Sequence, residues 1–522
     1  MPRSILFVAF SLMIAAACAA RPAFAERVIQ IAELADPWAT TVVIPAVAGD
    51  LSVGPITALD SASDGAVSAA LSTAGFKGEE GETLALYGIA DLEKLLVVGL
   101  GDKRPDAQAL ENFGGQAAQA IDSLEISNID ILWTGIDANA AHPGASIAYG
   151  AALGQYTFEK YKTDNAPVGG RSLTIRTVSA ESDRQAFDGV WRPVAEAVHF
   201  ARDLINEPGN VLYPESFVER TREAFAGLDD VSIEVLDEND MAELGMGALL
   251  GVGQGSIRPP RLLIVRYNGK DGQSSPLVFA GKGVTFDTGG ISIKPSSGMW
   301  RMKYDMSGAA AVVGGVLALA RRGADVNAFA IAALAENMPS DRAQRPGDIV
   351  RTMSGKTIEV LNTDAEGRLM LTDTVYYAQQ EFNPEILLDF ATLTGSVRVA
   401  LGDEYAGLFT RHDALAGKLI ESGAKAGEPV WQLPLHPSYA EDIRSEIADI
   451  KNISGERLAG AGIGAQVIGT FVDEETVWAH LDIASMAWPS LGTPTVPNRG
   501  GSGYGVRLIN QFVLDHYESG AD

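Results

Sequence analysis

The chain has 522 residues with 46% hydrophobic and 20% charged side chains, which describes a globular protein rather than a disordered one. At a prior of roughly 150 residues per domain, softened for large α/β folds, this length points to two or three domains. A formal net charge of −27 excludes the concentrated positive charge that nucleic acid or an anionic membrane surface requires, so neither is expected as a partner.

Residues 1–25 read as a targeting segment. Arg3 precedes an unbroken apolar run from Ile5 to Ala20, and Ala23-Phe24-Ala25 forms a small-x-small cleavage signature. The run is shorter than the roughly 20 residues that span a bilayer, so a cleavable signal peptide is expected rather than an anchor. The sequence thus predicts cleavage after Ala25 and an exported, periplasmic or secreted protein. Cleavage would remove Cys18, the only cysteine, leaving no disulfide and no thiolate ligand for a metal.

From residue 26 to about 190, strand-like runs at 40–47 and 94–101 alternate with alanine-rich helical stretches such as 107–123, which predicts a smaller N-terminal α/β domain. A helix from Trp191 to about Asn206, stopped by Glu207-Pro208-Gly209, opens the second region at residues 191–522. There, apolar strands at 261–267, 276–283, 328–337 and 385–393 interleave with helices at 307–322 and near 371–380. That alternation predicts a larger C-terminal α/β domain whose mixed, mostly buried sheet is covered by helices, with its site at the carboxyl ends of strands.

Chemistry concentrates in two segments of this region. The octet NTDAEGRL at 362–369 holds Asp364, Glu366 and Arg368 at alternate positions, which extended backbone would turn to one side. Upstream, GKGVTFDTGGISIKPSSGMWRMKYDMSGAAAV supplies Lys282, Asp287, Lys294 and Asp305 among glycines that permit tight loops. Asp287, Asp305, Asp364 and Glu366 are carboxylates enough for two divalent cations, and oxygen ligands suit Mg²⁺, Mn²⁺ or Zn²⁺. Other classes find less support. The six histidines are scattered with no HExxH, and the expectation for His480 is a satisfied core residue. No GxSxG elbow occurs, Pro276 stands where a P-loop needs its first glycine, and the GVGQGS run at Gly251 leads into Pro259-Pro260 instead of a helix.

The octet, together with GKGVTFDTGGISIKP and MKYDMSGAAAV, resembles the leucyl aminopeptidase (cytosol aminopeptidase) family of di-metal exopeptidases. NEPGN at Asn206, AENMPS at Ala335, RPGDIV at Arg345, ATLTG at Ala391 and WAHLDIA at Trp478 extend the likeness to the end of the chain. The resemblance implies that Lys282, Asp287, Asp305 and Glu366 hold the tighter metal, and that Asp287, Asp364 and Glu366 hold the more exchangeable one. Asp364 would add its backbone carbonyl. Lys294, as ammonium, would stabilise the oxyanion formed when a metal-activated water attacks the first peptide carbonyl, and Arg368 would hold a bicarbonate ion that shuttles the proton.

The same resemblance implies peptide substrates with a free N-terminus and a homohexamer. It places Met302, Thr392, Gly395 and Met486 around the first side chain, where flexible methionines favour leucine-like residues. Two positions depart from the family pattern: Ser485 replaces a usual glycine, and Trp300 replaces a common acidic residue. Two other readings stand beside the aminopeptidase. A non-catalytic binding or regulatory protein on the same scaffold would not need the intact ligand set, and a di-metal phosphoesterase would explain the carboxylates but not a lysine ligand.

Overall fold

A computed structural model of the chain describes residues 26–101, 103–122, 124, 126–163, 170–270, 274–455, 458–497 and 500–518. Two large sheets organise it, as the alternating sequence pattern predicts. The first is built from β1 (Val28–Glu33), β2 (Thr41–Val47), β3 (Thr83–Ile89), β4 (Leu92–Gly101), β5 (Asn128–Trp133) and β6 (Ser172–Thr177), in the order β1-β6-β5-β2-β4-β3. Only β3 runs antiparallel to its neighbour, so helices cover both faces. Pro55–Ala62 and Ala66–Ala74 lie over Val42, Ile44 and Val97, while Ala107–Ile121 and Pro143–Gly154 close the other side.

The second region adds β7 (Val231–Leu236), β8 (Arg261–Asn268), β9 (Leu277–Asp287), β10 (Asn327–Asn337), the short β11 (Asp348–Arg351) and β12 (Thr357–Val360), β13 (Ile386–Ala391), β14 (Ala406–Thr410), β15 (Val430–Gln432), the short β16 (Ile450–Lys451) and β17 (Trp478–Asp482). Eight of these form one sheet, β15-β14-β17-β13-β9-β10-β8-β7, whose central four strands are parallel. Being covered on both faces, the central strands are buried nearly throughout, which is why they read as continuous apolar runs. Ser307–Arg322, Arg192–Asn206 and Val506–His516 pack on one face, and Gly367–Phe382, Gly247–Gly253 and Gly460–Gly469 on the other. The molecule is therefore a two-domain α/β protein with the larger mixed sheet in its C-terminal part.

A register shift in β9 has consequences for the site. Val284 pairs with Ala335 and Phe286 with Glu336, so β9 carries one extra residue against β10. Lys282 and Asp287 are an odd number of positions apart and would face opposite ways in a regular strand. The inserted residue restores the alternation and turns both toward one side.

Two expectations need correction. The helix predicted from Trp191 begins earlier: Ala180–Ala186 runs through a π-helical turn at Phe187–Trp191 into Arg192–Asn206. Pro193 has no N–H to donate, and the wider turn, closed by Arg192 N–H to the Phe187 carbonyl, lets the helix pass it. The octet is not extended either. Asn362 Oδ1 accepts the Asp364 N–H at 2.9 Å, the Ala365 N–H closes a turn on the Asn362 carbonyl, and the helix Gly367–Phe382 starts directly after Glu366. Asparagine's tendency to hydrogen-bond the backbone two residues on overrides the alternation.

Buried polar groups hold the domains and helices in place. Arg202, 1% exposed, donates to the carbonyls of Leu153, Thr495 and Ser502, so one guanidinium ties the connecting helix to both parts of the chain. Asp373 is fully buried and accepts the N–H groups of Ala248, Leu249 and Met353, docking the helix that follows the octet onto its neighbours. Replacement of Asp373 by alanine leaves three buried donors unpaired at about 1–3 kcal/mol each. Urea unfolding of Asp373→Ala is accordingly expected to lose about 3 kcal/mol or more.

Candidate metal centre and active site

The site sits at the carboxyl ends of β9, β10, β13 and β17, the position favoured in parallel sheets. Lys282 projects from β9 and Asp287 ends it. Asp305 precedes the helix Ser307–Arg322, while Asp364 and Glu366 come from the turn before Gly367–Phe382. Small residues let these elements meet. A Cβ on Gly367 would lie 2.6 Å from Lys282 Cδ, and one on Gly289, at φ +87°, would lie 2.7 Å from Asp364 Oδ1.

Two ammonium groups bridge the carboxylates. Lys282 Nζ lies 2.8 Å from Asp305 Oδ2, 2.8 Å from Glu366 Oε1 and 2.8 Å from the Thr392 carbonyl. Lys294 Nζ lies 2.8 Å from Asp287 Oδ2 and 2.5 Å from Asp364 Oδ1. Asp287, Asp364 and Glu366 each present an oxygen within 4.8 Å of the others. Four carboxylates face two lysines here, so negative charge is in excess.

The titration of these groups follows from that imbalance. Burial, reinforced by Glu366 and opposed by the two lysines, pushes Asp287 up to about 6. Burial likewise raises Asp364, and raises Asp305 well above the usual range against the pull of Lys282. Glu366 moves the other way: burial opposes its charge, but Lys282 and Lys294 outweigh it and hold the carboxyl low. Burial also works against a charged Lys282, yet Asp305, Glu366 and Asp287 prevail and keep it protonated well beyond an ordinary lysine.

The surrounding chain fixes the cluster. Asp287 Oδ1 accepts from Asn337 Nδ2 at 2.8 Å and from the Gly289 N–H at 2.9 Å. Thr392 Oγ1 donates to Asp305 Oδ1 at 2.7 Å. Asp305 Oδ2, Asp364 Oδ1 and Glu366 Oε2 are buried and accept no well-directed hydrogen bond, although lysine nitrogens stand close to the first two. Buried carboxylate oxygens without donors are costly, and a multivalent cation is the chemistry that satisfies several at once, so this donor set fits divalent metal ions.

The remaining predicted residues fall around this centre. Arg368, 7% exposed, donates Nη1 to the Asn452 carbonyl at 2.9 Å while its buried Nε has no hydrogen-bond partner. Burial lowers its guanidinium to about 10 against the nearby charges of Glu366 and Asp482. Met302 and Met486 are half-buried, Thr392 is buried with its hydroxyl spent on Asp305, and open space lies where a Cβ on Gly395 would point.

The sequence gives Asn337 of AENMPS and Asp482 of WAHLDIA no evident task. Asn337 orients Asp287. Asn452, within no recognised motif, holds the octet: its Oδ1 accepts the Leu361 N–H at 2.8 Å and its Nδ2 donates to the Asn362 carbonyl at 2.7 Å. Asp482 accepts from Thr394 Oγ1 and the Leu393 and Ala484 N–H groups, bracing the loop after β13. His480 is fully buried and pairs through Nδ1 with Asp389 Oδ1 at 2.5 Å, its direct neighbour in the strand register, but its buried Nε2 has no hydrogen-bond partner, so the expected core histidine is only half satisfied.

Known proteins resemble this chain closely. Residues 199–510 match the catalytic domain of the cytosol aminopeptidase family and residues 43–165 its N-terminal domain. A probable cytosol aminopeptidase of Gluconobacter oxydans is 47% identical over 470 residues, covering 88% of this chain and 93% of the relative. One from Caulobacter vibrioides is 45% identical over 472 residues, with the same two coverages. Among solved structures, a tomato leucine aminopeptidase mutant superposes with a TM-score of 0.84 at 31% identity, covering 94% of this chain and 97% of its own. The bottromycin maturation enzyme BotP in complex with Mn gives 0.80 at 32% identity, covering 91% and 99%. The chain belongs to the cytosol aminopeptidase family. It is an enzyme, an aminopeptidase that acts on peptides.

The same relatives overturn one expectation. They are named as cytosol aminopeptidases, which points to a cytoplasmic protein and against a signal peptide and a periplasmic or secreted location. An apolar run reports hydrophobicity alone, and residues 1–25, on which that reading fell, lie outside the described residues.

The His480 pair has a pH signature. Burial disfavours the imidazolium, but Asp389 outweighs it and raises the pKa above the ordinary 6.5 or so. A raised histidine adds stability that is complete below about 6.5 and lost as pH rises through the folded-state value. Unfolding free energies measured from pH 6 upward are expected to decline more steeply for the parent than for His480→Asn; parallel curves would contradict the assignment.

Proposed function

We propose that this aminopeptidase is metal-dependent and releases leucine-like apolar residues from the free N-terminus of peptides. The observation that carries the reading is the convergence of four carboxylates on two lysines at the strand ends, with Glu366 Oε2 left without a donor. Lys282, Asp287, Asp305, Asp364 and Glu366 are the residues that would hold two divalent cations. Mn²⁺ is favoured by the likeness to BotP, itself described in complex with Mn. When bound, such ions supply Lewis acidity toward the carbonyl and bring the pKa of water toward about 7.

The chain's own groups divide the remaining work. Lys294, about one quarter exposed on the open side of the cluster, presents an ammonium that can donate to an oxyanion. Arg368 keeps part of its guanidinium free of protein partners, and its planar fork suits bicarbonate. Met302, Thr392, Gly395 and Met486 would surround the first side chain. Lys282 must give up its proton to serve as a ligand, so loading releases protons and weakens in acid. We further assign residues 26–190 to the N-terminal domain and 191–522 to the catalytic domain, since the first sheet ends at Thr177 and the second begins at Val231. Family likeness also supports a homohexamer.

Hydrolysis of leucine p-nitroanilide but not of its N-acetylated counterpart is the expected result, abolished by chelation and restored by Mn²⁺ or Zn²⁺ more fully at pH 8 than at pH 6. Equal hydrolysis of the two amides, or none, would refute the reading. The same preparation is expected to sediment as six chains. Lys294→Ala is expected to lower kcat by about 10²–10³, the range for loss of one oxyanion donor. Its metal content should stay near that of the parent, and loss of metal would instead make Lys294 a structural member of the cluster.

A further inference from the structure

Where helices of the first domain meet those near the end of the chain, a cavity of about 690 Å³ opens between the two domains. Its walls come from both: Gln108 and Glu111 of Ala107–Ile121 and Tyr149 of Pro143–Gly154 on one side, Ala424 of Asp413–Ala426 and Arg507 of Val506–His516 on the other. None of these residues belongs to the carboxylate–lysine cluster. The volume lies within the roughly 300–1,000 Å³ of small-molecule sites.

Buried charge lines this cavity. Glu111 and Arg507, 7% and 5% exposed, pair across the domain junction through Oε2 and Nη2 at 2.5 Å. The guanidinium also lies 5.3 Å from the centroid of the Tyr149 ring, which in turn meets Trp191 at 5.2 Å. The ion pair exhausts neither partner, because a carboxylate accepts at two oxygens and a guanidinium donates five N–H. Arg507 Nε and Gln108 Oε1 are buried with no hydrogen-bond partner. Glu111 is short of positive charge as well, since burial pushes its carboxyl up to about 7 against the pull of Arg507.

The other charges at the cavity are already engaged. Asp106 Oδ1 accepts the Ala109 N–H at 2.9 Å, and Lys425 lies 2.9 Å from Glu421 and 3.4 Å from Asp515. One acid and one base remain, so the site has no net charge to offer a phosphate or a polyamine and suits a small molecule that carries one charge of each sign. We propose that this cavity binds a free α-amino acid, with its ammonium on Glu111, its carboxylate on Arg507 and an apolar side chain against Tyr149, Trp191 and Leu514. Amino acids are what an aminopeptidase releases, and one held here would bridge the two domains. The inference uses only the hydrolysis of peptides, not the proposed metal dependence.

The test is calorimetric titration of the metal-loaded enzyme with leucine, with 4-methylpentanoate, which lacks the ammonium, and with 3-methylbutylamine, which lacks the carboxylate. The parent is expected to bind leucine at a class of site that disappears in Ala424→Trp, where an exposed helix position of the wall is filled, and in Glu111→Gln. Each single-charge analogue is expected to bind that class at least about tenfold more weakly, having lost a hydrogen bond between charged groups. Ala424→Trp should keep the parent's kcat and KM on leucine p-nitroanilide. Absence of any leucine binding that Ala424→Trp removes, or analogues that bind that class as tightly as leucine, overturns the inference. A parent that hydrolyses no p-nitroanilide refutes the proposed function instead and leaves this titration to be read on its own.

Discussion

Carboxylates gathered at the ends of parallel strands, in a part of the molecule that water scarcely reaches, set the terms for everything around them. Asp287, Asp305 and Glu366 are 2–5% exposed, and isolated charges so placed would be prohibitively costly. Lys282 and Lys294 offset part of that cost by lying between them. Removing one partner of a buried pair typically costs about 3–5 kcal/mol, so each residue of the cluster constrains the others. The excess of acid over base also explains why the carboxyls titrate in opposite directions: Glu366, held by both lysines, stays low while Asp287 rises to about 6.

That cluster depends on backbone placed to within a fraction of a side chain. Gly367 lets the octet lie against the Lys282 stem, and Asn452 and Asn337 spend their amide groups on orienting the two acidic segments. Behind them, Asp389, His480 and Asp482 give the parallel strands a polar layer whose hydrogen bonds run to the loop after β13. The stability of the fold and the geometry of the site are thus written in the same residues. Asp373 is an example: it touches none of the charged cluster, yet it docks the helix from which Arg368 extends.

Much of this was legible in the amino-acid order because buried parallel strands are apolar runs and the interleaved helices are rich in small residues. Lys282, Asp287, Asp305, Asp364 and Glu366 stood out as charge within such runs, and the structure brings all five together. What the order concealed depends on distant partners. His480 and Asp389 are adjacent only through the pairing of β17 with β13, and Asn452 reaches the octet from a loop with no signature of its own. The octet misled locally, since alternation suggested a strand where Asn362 instead ties a turn. The N-terminal apolar stretch misled in another way: its composition satisfied every criterion for export, and the names of close relatives contradict it.

The register shift in β9 makes the spacing between Lys282 and Asp287 a matter of parity. Within this strand, the face a side chain meets is set by whether an even or odd number of backbone units, counted against β10, precedes it. The odd spacing and the extra residue compensate one another, so a regular strand one residue shorter between Lys282 and Asp287 would also set both on one face, but without the bend that the bulge supplies. Letters along β9 are constrained as well, since a Cβ on Gly281 would lie 2.6 Å from the Gly308 carbonyl oxygen and one on Gly283 2.5 Å from that of Ala333.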